Sequence, residues 1–439
     1  MRNTIISILI IIINFPIISN AITLDEAKKI ALENNPQLLA QEQATKNSRA
    51  GYWRSLLNLI PSGSITGNYT RYDDEQPVGP ATAEEFKTYG YIISQPIFNG
   101  GSIWLGSRLS NDTYKISRET LNSQRLNTIA DVESKYFSVL ENKALLEISG
   151  KSLQNATVNL EIAEVQYESG ILSRADYLNL QSEKANREVS LIQTENLYLT
   201  SLLDLTNFLH LNEIAELEEV AIENFRFILN YLQDKELSEI ESLISKLMQV
   251  GMENNPSIKI SELAVASSKK NLHMAGGKFL PSVNLQYSKN WIKYDFDDEY
   301  NSSGQLGINL SLPVFPLFDN GLEVAKANYS LKQAKYEKIS AEDNVSLSLK
   351  SSIINLLAAA RTVHSLELAL QYSRDTYEQM QERFAAGLIT SNDLLATDIM
   401  YSSTQNQYIS SIYNFLRARS GLMLQIGIED EQILENYIR

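Results

Sequence analysis

The sequence predicts a mixed α/β membrane protein, in which two pairs of β-strands alternate with two long helical hairpins in tandem repeats. The first observation is an internal duplication: 33–36 (ENNP) recurs at 253–256, and the turn motif 167–172 recurs at 384–389. The other two observations are segments in which apolar and polar residues alternate, and segments in which an apolar residue recurs every seventh position. The architecture of one half therefore predicts that of the other.

The repeats divide the chain into five parts. These are a signal peptide at 1–21, a first repeat at 22–212, a middle segment at 213–243, a second repeat at 244–427 and a C-terminal tail at 428–439. Each repeat is predicted to run helix, two strands, helical hairpin. The strand pairs are expected within about 63–98 and 282–315, and the hairpins at about 101–209 and 319–425. The Glu-rich middle segment lacks a long seam and is expected to pack as a small side domain with the tail.

The N-terminus has the pattern of a cleavable secretory signal. Arg2 precedes an apolar stretch at 5–13, and the small residues of 19–21 suit cleavage before Ile22. A membrane anchor is the alternative, but the apolar stretch is well short of the roughly 20 residues that a spanning helix needs. No cysteine follows the cleavage point, so no lipid anchor is expected there.

Composition narrows the classes of protein further. The chain has no cysteine, which excludes disulfides and thiolate metal sites. Its net charge of -15 argues against nucleic-acid binding. After the signal segment we expect no apolar stretch long enough to cross a bilayer as a helix. A membrane crossing would therefore use a β-barrel.

The strand segments have one apolar and one polar face. Apolar residues occupy mostly odd positions in 283–291 and even positions in 305–312, and the first repeat shows a weaker pattern around Ile65 and Tyr89. An ordinary hairpin over a soluble core gives the same alternation. Long acidic loops between the strands favour extracellular loops of an outer-membrane barrel. Four strands cannot close such a barrel, so the chain is expected to oligomerise.

The hairpins are predicted from heptad spacing, which favours a left-handed coiled-coil seam. One seam runs Val132, Val139, Leu146, Leu153, Leu160, Tyr167, and its counterpart runs Leu349, Leu356, Val363, Leu370, Tyr377, Phe384. About 65 residues of continuous helix would be on the order of 100 Å long. A soluble coiled-coil bundle explains the heptads but not the strands or the signal segment.

The motifs of the two halves, taken together, resemble the TolC family of outer-membrane efflux proteins over essentially the whole mature chain. The motifs that carry the resemblance are 24–27 leading to Asn35-Pro36, the echo Asn255-Pro256, the strand ends 95–101 and 312–321, and the turns with Gly170, Asp176 and Leu178 and with Gly387, Asp393 and Leu395. No single motif is specific to the family. The combination of two copies in register, with heptads and strands between them, is specific.

The resemblance implies a homotrimer whose chains give four strands each to one twelve-stranded barrel and their helices to one α-helical tunnel. It implies an equatorial belt from the middle and C-terminal segments. It also implies an adaptor protein at the periplasmic turns and an inner-membrane pump of the RND, ABC or MFS type, with outer-membrane lipid around the barrel. Drug efflux, protein secretion and metal export remain open, because the pump selects the substrate.

The resemblance places adaptor docking and a gate at the two turns. The docking residues are Tyr167, Gly170, Ile171 and Leu172 in the first turn and Phe384, Gly387, Leu388 and Ile389 in the second. The gate residues are Asp393 and Asp176, although helix capping is the simpler interpretation for Asp176. Asp393 is expected to form a three-fold carboxylate ring that favours cations, with a pH dependence if mutual repulsion raises its pKa. Relatives carry a second aspartate at the position of Ala396 and an arginine at that of Ile389, so a weaker gate is expected here.

No catalysis, metal site or cofactor is expected. The three histidines, His210, His273 and His364, have no metal-ligand spacing, and neither a phosphate loop nor a nucleophile elbow is present. Two other functions remain as alternatives: a passive porin, and an envelope protein that bridges the periplasm without an open lumen. The porin would lack the long heptad helices, and the envelope protein would need no adaptor.

Overall fold

The computed structural model of the chain describes residues 21–78, 81–212, 216–233, 237–315 and 317–429. Nearly all of the predicted signal peptide and most of the predicted C-terminal tail lie outside these residues. The described residues form four strands and nine α-helices, which confirms the predicted combination of long helices with a four-stranded sheet.

The first repeat follows the predicted order. Its elements are α1 (Leu24–Asn34), α2 (Pro36–Leu57), β1 (Ser62–Val78), β2 (Ala81–Asn99), α3 (Ser102–Glu168) and α4 (Arg174–Phe208). Thr23 and Glu26 form a capping box at the start of α1, with each side chain bonded to the other residue's backbone N–H. Proline then starts α2 directly after Asn35, since its missing N–H costs nothing in the first turn.

The second repeat has the same order. Its elements are α6 (Leu237–Asn254), α7 (Pro256–Gly277), β3 (Ser282–Tyr294), β4 (Asn301–Ser311), α8 (Leu317–Ala385) and α9 (Ser391–Ile426). Between the repeats lie a short 3₁₀ helix (Ile222–Phe225) and α5 (Arg226–Gln233). The repeated Asn-Pro motif caps α7, because Asn255 Oδ1 accepts a 2.9 Å hydrogen bond from the backbone N–H of Ser257.

The four strands form one antiparallel sheet in the order β1-β2-β3-β4. Tyr89 lies opposite Trp291 in the register of β2 and β3, and Tyr287 lies opposite Leu306 in that of β3 and β4. Since side chains alternate between the faces of a strand, these residues share one face of the sheet. That face carries the apolar half of the predicted alternation.

Contacts divide the chain into two compact units. Among the described residues, one comprises those of 21–35, 129–233 and 357–420, and the other those of 36–128, 237–356 and 421–429. In the first unit, the middle segment joins the start of the chain through a parallel bridge between Ile22 and Leu217. The buried Tyr136 hydroxyl supports this bridge, lying 2.8 Å and 2.7 Å from the carbonyl oxygens of Ile22 and Glu218.

The second unit contains the sheet and the helices that enter and leave it. The carboxylate of Asp112 on α3 binds Lys270 on α7, and Ser267 Oγ donates to it at 3.3 Å. Asn255 Nδ2 donates to the carbonyl oxygen of Gln425 at 2.8 Å, which holds the end of α9 against the start of α7. These polar contacts hold α3 to α7 and α7 to α9.

The expectation of no membrane-length apolar helix is wrong for α8. The helix Phe318–Ala385 contains an 18-residue window with a mean hydropathy of 1.3, of which 28% is buried. The expectation rested on apolar stretches, whereas this helix reaches that hydropathy with apolar residues interspersed with polar ones and few charges. Leu349, Ile353 and Leu356 of the helix are buried at helical spacing. Length and composition do not separate a spanning helix from one packed in this way.

Candidate functional site

The candidate site consists of the two turns that join α3 to α4 and α8 to α9. In the first turn Gly170 has a φ of 76°, and its N–H and that of Ile171 bond to the carbonyl oxygens of Tyr167 and Gln166. In the second, Gly387 has a φ of 71°, and Leu388 N–H bonds to the carbonyl oxygen of Arg383. These bonds form a Schellman-type helix end, which requires the left-handed conformation that glycine adopts without strain.

The helix that leaves the first turn is capped by Ser173. Its Oγ accepts a hydrogen bond from the backbone N–H of Asp176 at 3.1 Å and donates to Asp176 Oδ2 at 2.6 Å. The second oxygen, Asp176 Oδ1, accepts a 2.6 Å bond from Ser391 Oγ, at the start of α9. The hydroxyls of Ser173 and Ser391 hold the pKa of Asp176 below its ordinary value. Asp176 therefore does more than cap its own helix, because it also binds the second turn.

The helix that leaves the second turn is capped by Thr390, and the bonds of this cap join only Thr390 and Asp393. Asp393 N–H donates to Thr390 Oγ1 at 3.3 Å, while Thr390 Oγ1 and N–H donate to Asp393 Oδ2 at 2.8 Å and 3.2 Å. Bonds from the hydroxyl and backbone of Thr390 lower the pKa of Asp393. The carboxylate is exposed to solvent. It is consequently ionised at neutral pH and available to solutes.

An apolar cluster lies beneath the two turns. Its buried members are Ala163, Leu180, Tyr377, Phe384 and Leu394, and Leu172 and Ile389 pack against them. Phe384 is completely buried, so any effect it has on docking comes from the shape it gives the turn. The residues that sequence reasoning assigned to docking thus divide into a buried and an exposed set.

The exposed set contains one aliphatic side chain from each turn. Ile171 is 68% exposed and Leu388 is 69% exposed. Tyr167 is partly exposed and its ring stacks on that of Tyr177, with centroids 5.2 Å apart. The two exposed aliphatic side chains form a small apolar surface at the turns.

Sequence reasoning missed a buried ion cluster between the two hairpins. Arg187 Nη2 on α4 lies 3.0 Å from Asp398 Oδ2 on α9, and Arg187 Nε lies 2.6 Å from Glu183 Oε1. Asp398 is 1% exposed, and this burial raises its pKa, although Arg187 opposes the shift. The spacing of Glu183 and Arg187 by four residues was the available signal, but nothing in the sequence pairs them with Asp398.

A polar network also joins the ascending helices α3 and α8. Asn159 Nδ2 donates to Tyr377 Oη at 3.2 Å, and Gln381 Nε2 donates to Asn159 Oδ1 at 2.9 Å. Closer to the turn, Gln166 Nε2 donates to the carbonyl oxygen of Phe384 at 2.7 Å. Each bond links the first repeat to the second, so the two hairpins are joined along both pairs of helices.

The part of the chain that the structure describes contains no cluster of three or more His, Cys, Asp or Glu side chains able to hold a metal ion. In the site itself, the carboxylate of Asp398 faces a guanidinium and that of Asp176 faces two hydroxyls. Both carboxylates therefore join the first hairpin to α9.

A four-stranded sheet with long helical hairpins defines the fold of outer-membrane channels. The solved structure of CusC superposes on this chain with a TM-score of 0.79 and 15% identity, and the match covers 92% of each chain. VceC of Vibrio cholerae matches with a TM-score of 0.77 and 14% identity, covering 92% of this chain and 96% of that one.

The family model "Outer membrane efflux protein" matches residues 28–209 and 247–427. The chain belongs to this family, and it is an efflux protein of the outer membrane. Among relatives, TolC of Vibrio cholerae is 23% identical over 417 residues, which covers 92% of this chain and 90% of that protein. The toluene efflux pump outer membrane protein TtgI of Pseudomonas putida is 24% identical over 317 residues, covering 70% and 65%.

Proposed function

We propose that this chain is the outer-membrane duct of a tripartite efflux or type I secretion system and works as a homotrimer. Each copy gives four strands to a twelve-stranded barrel, and its helical hairpins line a passage through the periplasm. An adaptor protein docks at the two turns, and an inner-membrane pump of the RND, ABC or MFS type selects the drug, small molecule or protein to be exported.

The observation that carries this proposal is the open sheet. Strands β1 and β4 are at its edges, and each has one neighbouring strand within the described ranges. In a bilayer, unpaired backbone N–H and C=O groups cost several kcal/mol each, so a spanning sheet must close on itself. Pairing β1 of one copy with β4 of the next removes both edges, and three copies give an even number of strands that is large enough to close.

The two faces of the sheet support the same arrangement. One face carries the apolar residues Ile65, Tyr89, Tyr91, Ile93, Leu285, Tyr287, Trp291, Leu306, Ile308 and Leu310. The other carries Thr66, Asn68, Thr88, Ser94, Asn284, Gln286, Ser288, Asn290, Gln305 and Asn309. An apolar face suits lipid, and a face on which hydroxyls and amides outnumber apolar residues such as Ile92 and Ile292 suits a water-filled lumen. A lumen lined in this way solvates solutes without selecting their charge.

Exposed apolar side chains on the hairpins support contact with further copies. Ile192 and Leu199 of α4 are 65% and 48% exposed, and Leu347 and Ile354 of α8 are 65% and 55% exposed. Both pairs have a seven-residue spacing, which forms a continuous stripe along a helix in a coiled coil. Helices of neighbouring copies would cover these stripes.

The gate is proposed at the turns, with Asp393 as its charged member. In a trimer three Asp393 carboxylates would surround one axis and favour cations. Replacing Asp393 by Asn should lower cation selectivity and weaken block by multivalent cations in planar bilayers. Asp375→Asn is the matched control, because the same charge is lost from an exposed position of α8 outside the turns. Equal effects of the two variants would refute the role of Asp393.

The proposal assigns transport and no catalysis to the chain. It is tested by deleting the gene and measuring sensitivity to drugs and detergents together with the proteins secreted. Hypersensitivity indicates efflux, and loss of a secreted protein indicates type I secretion. Native mass spectrometry of the purified protein should give three chains per particle. A monomer in a bilayer, or a deletion without either phenotype, would contradict the proposal.

A further inference from the structure

The apolar face of the sheet carries lysines near its loop end. Lys87 on β2 lies directly opposite Lys293 on β3, and Lys289 is on the same face four residues further from the β3–β4 loop. Like charges directly opposite in adjacent strands destabilise a sheet. A lysine on a lipid-facing strand costs about 2–4 kcal/mol at the midplane of a bilayer and about 0–1 near its surface. These lysines therefore call for a counter-charge.

The nearby carboxylates do not satisfy all three lysines. Glu85 Oε1 lies 3.7 Å from Lys87 Nζ, but Glu85 also accepts a 2.6 Å bond from Tyr69 Oη and lies opposite Arg71. The carboxylate of Asp295 accepts from the backbone N–H groups of Glu84 and Glu85.

Two lysines have no carboxylate partner among the described residues. Lys293 Nζ donates to the carbonyl oxygen of Asp298 at 2.7 Å. Lys289 Nζ lies 5.1 Å from the ring centroid of Trp291. Since a carbonyl oxygen and a ring face carry no net charge, this face of β2 and β3 keeps an excess of positive charge, next to loops that are acidic.

Aromatic rings surround the lysines in the manner of a membrane interface. Tyr89 stacks on Trp291 with centroids 5.0 Å apart, and Tyr300 contacts Tyr89 edge-on at 5.0 Å. Amphipathic rings of this kind favour the headgroup level of a bilayer. Further from the loops, the same face continues with apolar side chains, among them Leu285 and Ile308. Lys87 and Lys293 thus lie on the loop side of the Tyr89–Trp291 pair and Lys289 lies on its other side, so basic and aromatic residues interleave before the apolar ones begin.

We propose that Lys87, Lys289 and Lys293 bind the phosphate of an anionic lipid in the leaflet at the loop end of the sheet. The lipid chains lie against the apolar residues below, and the lysine side chains extend along the face to the headgroup. This inference rests on the proposed barrel, because it requires the apolar face to contact lipid. It adds a lipid-phosphate site that would anchor the barrel at a fixed depth.

The test uses the full-length protein in phosphatidylcholine nanodiscs that contain lipid A, a glycolipid with phosphate monoesters. We expect the triple variant K87Q/K289Q/K293Q to bind lipid A about 100-fold more weakly, from roughly fivefold per lysine near an anionic lipid. The control K151Q/K269Q/K335Q makes the same charge change on exposed helical positions and should bind as the wild type does. The single variant K289Q should bind lipid A roughly fivefold more weakly than the wild type. It provides a test of the site if the triple variant does not fold.

Three results would overturn the site. One is equal lipid A binding by the triple variant and the control. Another is equal binding by K289Q and the wild type. The third is full displacement of lipid A by inorganic phosphate, which would make the site one for the free ion. Wild-type protein that fails to insert as a trimer would instead refute the proposed function. Conductance of the same purified proteins in planar bilayers distinguishes loss of the lipid site from failure of the channel.

Discussion

The two turns have the same backbone but use their aspartates differently. In the first, Asp176 divides its oxygens between its own cap and Ser391 of the other hairpin. In the second, one oxygen of Asp393 takes both bonds from Thr390, and the carboxylate remains exposed. Duplication thus produced two similar helix ends, of which one holds the hairpins together and the other presents a free charge.

The difference assigns a contact between the hairpins to one aspartate and an exposed charge to the other. Near the turns, Asp176 and Arg187 of the first hairpin bind α9, and both of their partners are buried. Further from the turns, Ser152 and Glu141 of α3 bind Ser402 and Arg417 of α9. We infer that the first hairpin is the fixed support and that the second moves when the turns separate. The variants below test this division.

The largest effect is expected from Arg187→Ala. The substitution leaves Asp398 buried without its cation, and breaking a buried pair in this way costs about 3–5 kcal/mol. Denaturant unfolding of the purified protein measures the loss. Arg374→Ala is the control, since its pair with Glu378 is exposed and should cost no more than about 1 kcal/mol. Similar losses in both variants would contradict a central role for the buried cluster.

The next effect concerns the backbone that the turns share. Gly170→Ala and Gly387→Ala should each lower stability by about 1–2 kcal/mol, because an L-residue is strained at their positive φ. The added Cβ meets no atom within 4 Å at Gly170 and only an ordinary contact with Ile171 at Gly387, so the costs should be alike. Gly150→Ala, within α3, should stabilise instead by up to about 1 kcal/mol. Unequal costs at the two turns would show that they differ in backbone as well as in side chains.

A smaller effect is expected from Ser391→Ala. It removes one hydrogen bond to Asp176, worth about 1 kcal/mol. The chain has no cysteine, so the substitutions Ile171→Cys and Leu388→Cys would provide the two sites for spin labels. In the Ser391→Ala variant, the mean distance between the two labels should increase or its distribution should broaden. Thr390→Ala affects only the cap of α9 and should leave that distance unchanged. An effect of Thr390→Ala as large as that of Ser391→Ala would refute the distinction between the turns.

The smallest effect is a pH dependence of the same label distance. The pKa of Asp176 is lowered in the folded protein, so its contribution to stability is present above the ordinary value of about 3.9 and is lost as pH falls through the lowered value. The distance should therefore be constant at neutral and mildly acidic pH and increase only below about pH 4. With Asp176→Asn the increase should disappear. A transition near neutral pH would require another group to control the contact.

The sequence predicted the elements because their signals are local. The alternation in 283–291 and the heptads ending at Tyr167 and Phe384 each follow from one segment and its period. It also predicted glycine at the helix ends, since a turn of this kind needs a positive φ. The partners across hairpins could not be predicted in the same way. Arg187 and Asp398 are 211 residues apart, and their pairing depends on how α4 and α9 pack.

The role of Asp176 illustrates the same limit. Its position three residues after Ser173 predicts a cap, and the structure contains that cap. The second bond, to Ser391, depends on the two turns lying side by side. Phe384 is the opposite case: the resemblance placed it among the docking residues, but packing buries it completely.

The central claim is that contacts between the two hairpins keep the turns together as a gate. Single-channel conductance in planar bilayers tests it most directly, with wild type compared with the double variant R187Q/S391A. We expect a several-fold higher conductance for the double variant. The control R374Q, which removes an exposed pair, should keep the wild-type conductance. Identical conductance of the double variant and the wild type would contradict the account.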